Sequence, residues 1–226
     1  MEKNIDKHEK NPIIYSTLIM MRHSTRIDYE IPNFVPIDYH YDPTLIYPHA
    51  LKVINNIEFN INYPITKIIT SPLLRSVQTA RDFAIKYNLK DIYIDFRLIE
   101  MCSINYLYKK YEISKGIYQY NSDYIKKHVN DINIQFIQVR ERVPLNYNNN
   151  NDLKDLYKEC KELNQNILAI THFPNIIKFC NIFNKKIITE DIKPKYCAYV
   201  IVRNDEIIES NEIIKSNETT ESNQKS

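Results

Sequence analysis

Arg22, His23 and Arg26 stand immediately after an apolar run, Thr17-Leu18-Ile19-Met20-Met21. The run reads as a buried strand, so the basic residues fall at its carboxyl end, where α/β folds place their chemistry. A histidine between two arginines admits three readings: a structural loop residue, part of an anion site, or a nucleophile held beside the phosphate it attacks. A second strand-like run, Asn166-Ile167-Leu168-Ala169-Ile170-Thr171, ends in the same way at His172. Pro174 then opens a helix containing Ile176, Ile177, Phe179, Cys180 and Phe183.

A β-rich stretch from Ile65 leads into Ser71-Pro72, which has the form of a helix N-cap and first-turn proline. Leu73, Val77 and Ala80, with Leu74 and Phe83 beside them, predict the buried stripe of that helix. Arg75 falls in its first turn, where the helix dipole disfavours a cation. A bound anion, attracted also by the amides of the helix start, accounts for that placement; a solvated surface arginine is the plainer alternative. A short strand over about 92–94 leads into Asp95-Phe96-Arg97-Leu98-Ile99-Glu100, and Glu100 is a candidate general acid. Parallel sheets gather their strand ends along one edge, so Arg22, His23, Arg75 and His172 are expected to meet there.

The elements that must position these residues are less evenly written. Asp42-Pro43 has the form of an N-cap and first-turn proline for a helix running to about Phe59. Leu45, Ile46, Ala50, Leu51, Ile54 and Ile57 follow at helical spacing, and Pro48 interrupts the first turns. The connection 29–43 is too proline-rich for helix and lies where it would shape a pocket. Residues 101–151 predict two short helices and loops. Leu153, Leu156, Tyr157, Cys160 and Leu163 space as an amphipathic helix ending near Asn164. Residues 197–202 and 206–208 predict a hairpin turning at Asn204-Asp205. A disordered leader is expected over 1–14, one domain over 15–209, and a disordered tail over 210–226.

The chain has 226 residues, 43% of them hydrophobic and 26% charged, enough for one domain with a sizeable core. A net charge of +2 gives no reason to expect a nucleic-acid partner, so any anion preference must come from a few placed arginines. The chain contains 1 glycine, which leaves Asn, Asp, Ser and others to fill positions of positive φ. Cys102, Cys160, Cys180 and Cys197 lack the spacing of a metal or redox motif. The N-terminus has no apolar signal segment and no run approaches the length of a membrane span, so a reduced cytoplasmic compartment without membrane partners is expected.

The stretch Ser71-Pro72-Leu73-Leu74-Arg75-Ser76-Val77-Gln78-Thr79-Ala80, together with Arg22-His23 and His172, resembles the motifs of the histidine phosphatase superfamily, the phosphoglycerate-mutase-like proteins. There the first motif is Arg-His-Gly and the second Ser-Pro-Leu-x-Arg-x-x-Gln-Thr-Ala; Leu98-Ile99-Glu100 matches a Leu-x-Glu element. Residues 22–28 look most like the Arg-His-Gly-Glu-Arg-Val-Asp form of the suppressor-of-T-cell-receptor-signalling phosphatases and their ecdysteroid-phosphate phosphatase relatives. Arg26 then matches their additional active-site arginine. The resemblance spans about residues 16–203 and implies an α/β fold, a three-layer α/β/α sandwich with a mostly parallel central sheet. It also implies a metal-independent phosphomonoester hydrolase that needs no cofactor. In that scheme His23 is the nucleophile that becomes phosphohistidine, and Arg22, Arg26, Arg75 and His172 bind the phosphoryl group. Glu100 protonates the leaving oxygen and then activates water, which requires a raised pKa. The expected substrate is a phosphorylated small molecule or a phosphoprotein; oligomeric state stays open, a homodimer included.

Two positions depart from the pattern. Ser24 replaces the motif glycine, so it either distorts the backbone where phosphate approaches or adds a hydroxyl donor. Phe173 follows the second histidine where many members carry a small residue, which would narrow the pocket. These motivate a rival reading, a catalytically silent relative that binds phosphorylated ligands or proteins. A phosphoglycerate-type mutase is a further alternative, weakened because the segment after His23 lacks the Glu-Ser-x-x-Asn pattern of those enzymes.

Overall fold

In β1 (Thr17–Arg22) Leu18 and Met20 face one side of a sheet and Ile19 and Met21 the other, and all are fully buried. Burial on both faces requires a layer of helices on each side, because successive strand residues point in opposite directions. The computed structural model describes residues 16–27, 42–100, 117–119, 125, 127–129, 133–139, 142–144, 150–183 and 195–211. After β1 these form α1 (His49–Asn55), β2 (Lys67–Thr70), α2 (Leu74–Lys86), β3 (Asp91–Ile94) and a 3₁₀ turn at Phe96–Leu98. They continue as β4 (Ile117–Gln119), β5 (Gln135–Gln138), β6 (Arg142–Pro144), α3 (Asn150–Leu163), β7 (Asn166–Thr171), α4 (Phe173–Ile182), β8 (Tyr199–Arg203) and β9 (Glu206–Ser210).

The main sheet has the order β5-β3-β2-β7-β1-β8-β9. Pairings from β5 through β1 are parallel, while β8 and β9 are antiparallel, so the sheet is mostly parallel. One core lies between the sheet and α1 and α2, where Ile54, Leu74, Val77 and Phe83 meet Ile19, Ile68 and Leu168. The other lies under α3 and α4, where Leu153, Leu156, Ile176 and Phe179 meet Leu18, Met20 and Ile167. The architecture is the expected three-layer α/β/α sandwich. Among the described residues no helix is long and apolar enough to cross a membrane.

Local sequence explains most element ends. Asn164, at φ 51, closes α3 in the left-handed region, and Asn204 and Asp205, at φ 51 and 64, make the turn between β8 and β9. Other expectations need correction. The helix expected from Asp42 to about Phe59 is only α1. Pro48 has no amide hydrogen and restricts Tyr47, and residues 44–46 instead bond to the loop after β1, with Ile27 N–H donating to the Thr44 carbonyl at 3.0 Å. Asp42 therefore caps no helix at this point in the chain. The interval 101–151, expected as two short helices and loops, has helical residues at 125 and 127–128 but also contains β4, β5 and β6 among its described residues. In β5 only Phe136 and Ile137 are apolar, half-buried between exposed glutamines, because the strand lies at the sheet edge and has no long apolar run to announce it. The leader over 1–14, most of the connection 29–43 and the tail beyond Asn211 lie outside the described residues.

Leu168 sits in β7 between two neighbouring strands, fully buried against α2. Replacing it with alanine should cost about 2–5 kcal/mol in urea unfolding; a loss below about 1 kcal/mol would contradict burial at the centre of a two-faced sheet.

Candidate active site

The parallel strands end at a common edge, and the residues singled out by sequence arrive there from separate elements. Arg22 ends β1, opposite Thr171 at the end of β7, so His23 and His172 follow two neighbouring strands in register. Their ring centroids lie 5.3 Å apart. Ser71 follows β2, its N–H donating to the Ile170 carbonyl at 2.9 Å, and Arg75 stands in the first turn of α2. Glu100 comes after β3 and the 3₁₀ turn. Arg26 is half-buried in the loop after β1, bridged to Leu45, and its charge acts on Arg22, Asp42 and His172.

His23 is buried, and its Nδ1 lies 2.8 Å from the Ser24 carbonyl oxygen. A carbonyl can only accept, so Nδ1 carries the proton and the neutral ring keeps its lone pair on Nε2. Burial, then the positive charge of Arg75, with His172 and Arg22 adding to it, holds the imidazole well below its ordinary pKa of 6.5. The arrangement is a neutral imidazole, its Nε2 unprotonated, set among arginines.

Arg75 is almost fully buried and is gripped from two sides. Nη1 donates to Asp42 Oδ1 at 3.2 Å and Nη2 to Glu100 Oε2 at 3.0 Å. Asp42 Oδ2 also accepts the Leu74 amide at 2.8 Å. The anion expected from a cation in the first helical turn is thus supplied internally by Asp42, which sits at the positive end of α2. Burial lifts the Asp42 carboxyl above its ordinary range, while Arg75 pulls it back. Ser71 does not cap α2 as its sequence suggested; its hydroxyl lies 2.8 Å from His172 Nε2 and only 3.5 Å from the Leu73 amide. His172 Nδ1 lies 3.4 Å from Arg75 Nη2, a group that only donates, so the neutral ring carries its proton on Nε2 toward Ser71. Burial, then Arg75, Arg22 and Arg26, holds this histidine too well below 6.5.

Ser24 has negative φ, since the positive values among described non-glycine residues fall at 88, 164, 197, 204 and 205. Its amide donates to Thr79 Oγ1 at 2.9 Å and its hydroxyl reaches the Ala50 carbonyl at 3.4 Å. The missing glycine therefore forces no distortion. Phe173 is half-buried at the start of α4.

Sequence reasoning missed several supporting residues. Asn175 Nδ2 donates to the Leu98 and Ile99 carbonyls at 2.8 and 3.1 Å, pinning the chain that presents Glu100 to the start of α4. Buried Arg97 ties the same turn to Asp95 at 2.6 Å and to Glu159 on α3 at 2.7 Å. Tyr196 covers Arg22, and buried Cys197 beside it adopts φ 59 where a glycine would be easier. Only the asparagine, immediately before the apolar pair Ile176-Ile177 in a helix start, carried a signal, a polar side chain on a buried face. Among the described residues no cluster of histidine, cysteine and carboxylate groups is arranged to hold a metal.

Both histidines are depressed bases, so below 6.5 the unfolded chain binds protons that the folded chain refuses. Their stabilisation is complete above 6.5 and lost as pH falls from there toward their folded values, with a slope of up to about 1.4 kcal/mol per pH unit for each. Urea midpoints should fall between about pH 7 and about pH 5, and fall less in His23→Gln; equal slopes in both proteins would contradict a buried neutral His23.

No protein-family model matches the chain, and no curated protein matches it by sequence. Solved structures match it in fold. The ecdysone phosphate phosphatase from Bombix mori, in complex with tungstate, superposes with a TM-score of 0.58 at 14% identity, over 93% of this chain and 96% of that one. A phosphoglycerate mutase from Bacillus anthracis str. Sterne gives 0.46 at 13% identity, over 84% and 88%. A mycobacterial glucosyl-3-phosphoglycerate phosphatase gives 0.44 at 13%, over 82% and 90%. The first of these likenesses, which runs nearly the full length of both chains, defines the architecture. With its three layers and mostly parallel sheet, the chain shares the fold of that phosphatase structure.

Proposed function

We propose that the chain is a metal-independent phosphomonoester hydrolase that works through a phosphohistidine on His23. The observation that carries this reading is the Nδ1 proton of His23, committed to the Ser24 carbonyl, which leaves the Nε2 lone pair of a neutral ring among Arg22, Arg75 and His172. Nε2 attacks phosphorus; the N–P bond forms as the P–O bond to the leaving group breaks, and the departing oxygen takes a proton from Glu100. Glu100, now a carboxylate, removes a proton from water as that water attacks phosphorus. The N–P bond then breaks, its electron pair returns to Nε2, and inorganic phosphate departs.

Arg22, Arg26 and Arg75 neutralise the phosphoryl oxygens, which removes the need for a metal. Arg75 holds Glu100 Oε2 at 3.0 Å; a phosphoryl oxygen competes for the same donor and, on taking it, releases Glu100 to take up from solvent the proton that it gives to the leaving oxygen. Burial first, and then Arg75, Arg22 and Arg26, keep His172 neutral; a phosphoryl dianion offsets the arginine part, so the ring takes a proton from solvent on Nδ1 and donates a hydrogen bond to the bound group. The likeness to a protein named as an ecdysone phosphate phosphatase supports hydrolysis over phosphoryl shuttling. The silent-binder alternative loses one of its motives, because Ser24 keeps an ordinary backbone and turns its hydroxyl to Ala50.

Phosphate release from p-nitrophenyl phosphate in the presence of a chelator tests the proposal. The wild type should turn over without metal, and His23→Ala should lose at least ~10³-fold in kcat. Phosphate binding without turnover by folded wild type would favour the silent relative, and turnover abolished by the chelator would refute a metal-independent site.

A further inference from the structure

Tyr196 belongs to none of the motifs that carry the family resemblance, yet it lies against the residues of the first motif. Its ring stands under the Arg22 guanidinium, with Cζ 4.3 Å from the ring centroid, and 5.8 Å from the His23 ring at an interplanar angle of 49°. The turn that presents it is laced to β1. Arg22 N–H donates to the Ala198 carbonyl at 2.9 Å, and Cys197 N–H donates to the His23 carbonyl at 3.3 Å. Cys197 holds φ 59, a left-handed conformation unfavourable for a residue with a side chain, and it does so while buried directly after Tyr196. An unfavourable backbone at this point is sustained by the bonds around it, and its result is to hold the aromatic face on the arginine.

We infer that Tyr196 is a positioning residue that clamps the Arg22 guanidinium over its ring so that the fork reaches a phosphoryl group bound at His23. The inference rests on the reading of Arg22 and His23 given under Proposed function. An arginine on a rotatable stem loses rotamer freedom when it grips an anion; stacking on an aromatic face fixes the plane of the fork before the ligand arrives. The aromatic ring also replaces part of the water around the guanidinium without presenting a carboxylate that would compete with phosphate. Arg75 is gripped by Asp42 and Glu100; the Glu100 charge acts on Arg22 as well, and the Tyr196 face adds a fixed plane for the Arg22 fork.

Binding of inorganic phosphate, followed by calorimetry in wild type, Tyr196→Phe and Tyr196→Leu, tests the clamp and can be read whether or not the protein hydrolyses anything. Tyr196→Leu, which keeps bulk but removes the π face, should weaken phosphate binding about 10-fold, and Tyr196→Phe should stay within about 2-fold of wild type. In an Arg22→Met background the leucine substitution should make no further difference, a coupling that a merely structural role would not produce. Equal affinity of Tyr196→Leu and wild type, failure of phenylalanine to preserve binding, or an undiminished leucine effect beside Arg22→Met would overturn the inference. If Tyr196→Leu does not fold, the Arg22 Hε resonance of the wild type reads the same contact: a ring-current shift supports the clamp, and its absence overturns it. Wild type that binds phosphate without turnover defeats the proposed hydrolase and leaves the clamp standing; wild type that binds no phosphate defeats both.

Discussion

The parallel register between β1 and β7 sets the position of everything else in the site. Arg22 opposite Thr171 makes His23 and His172 the first residues beyond two adjacent strands, and His23 N–H closes the pair by donating to the Thr171 carbonyl at 3.0 Å. A shift of one residue would turn every side chain of β1 to the wrong face, exchanging Leu18 and Met20 with Ile19 and Met21 between the two cores. The register of His23 is therefore protected by the burial of apolar residues in the two cores. β2 joins the same edge through the Ser71 amide, and β3 through the turn that Asn175 and Arg97 hold.

Bringing arginines together at a buried edge costs free energy that packing alone does not return. The molecule offsets that cost with Asp42 and Glu100 on Arg75 and with the Tyr196 face on Arg22. The histidines stay neutral because they are buried and, beyond that, because the arginines' positive charge opposes a proton on either ring. In the proposed function, neutral imidazoles and fixed arginine forks suit a dianionic phosphoryl group, since little reorganisation is left to perform on its arrival. The two carboxylates differ in their anchoring: Asp42 also holds the Leu74 amide, whereas Glu100 is the more solvent-accessible partner of Arg75.

Much of this was legible in the sequence, and for physical reasons. Long apolar runs ending in a basic residue mark buried parallel strands and their functional edge, so β1, β7, His23 and His172 stood out, as did Arg75 in a helix start. Glu100 was legible by its place after a strand. What escaped is of a different kind. Asp42 meets Arg75 across 33 positions of chain, and its neighbouring proline imitates a helix start that Pro48 prevents from forming. Ser71 likewise reads as a cap, but the hydroxyl goes to a histidine 101 positions away. Edge strand β5 has too short an apolar segment to show itself, and Tyr196 acts through a ring face, which leaves no spacing in the sequence.

The central claim is that His23 Nε2 becomes covalently phosphorylated. Intact-protein mass measured on enzyme quenched into alkaline denaturant during turnover of an aryl phosphate tests it most directly, because a phosphoramidate survives base and is lost in acid. The wild type should gain the mass of one phosphoryl group, located on His23, lost on acidification and absent from His23→Ala. Turnover with the label on a serine or threonine, or sustained turnover by His23→Ala, would contradict the account.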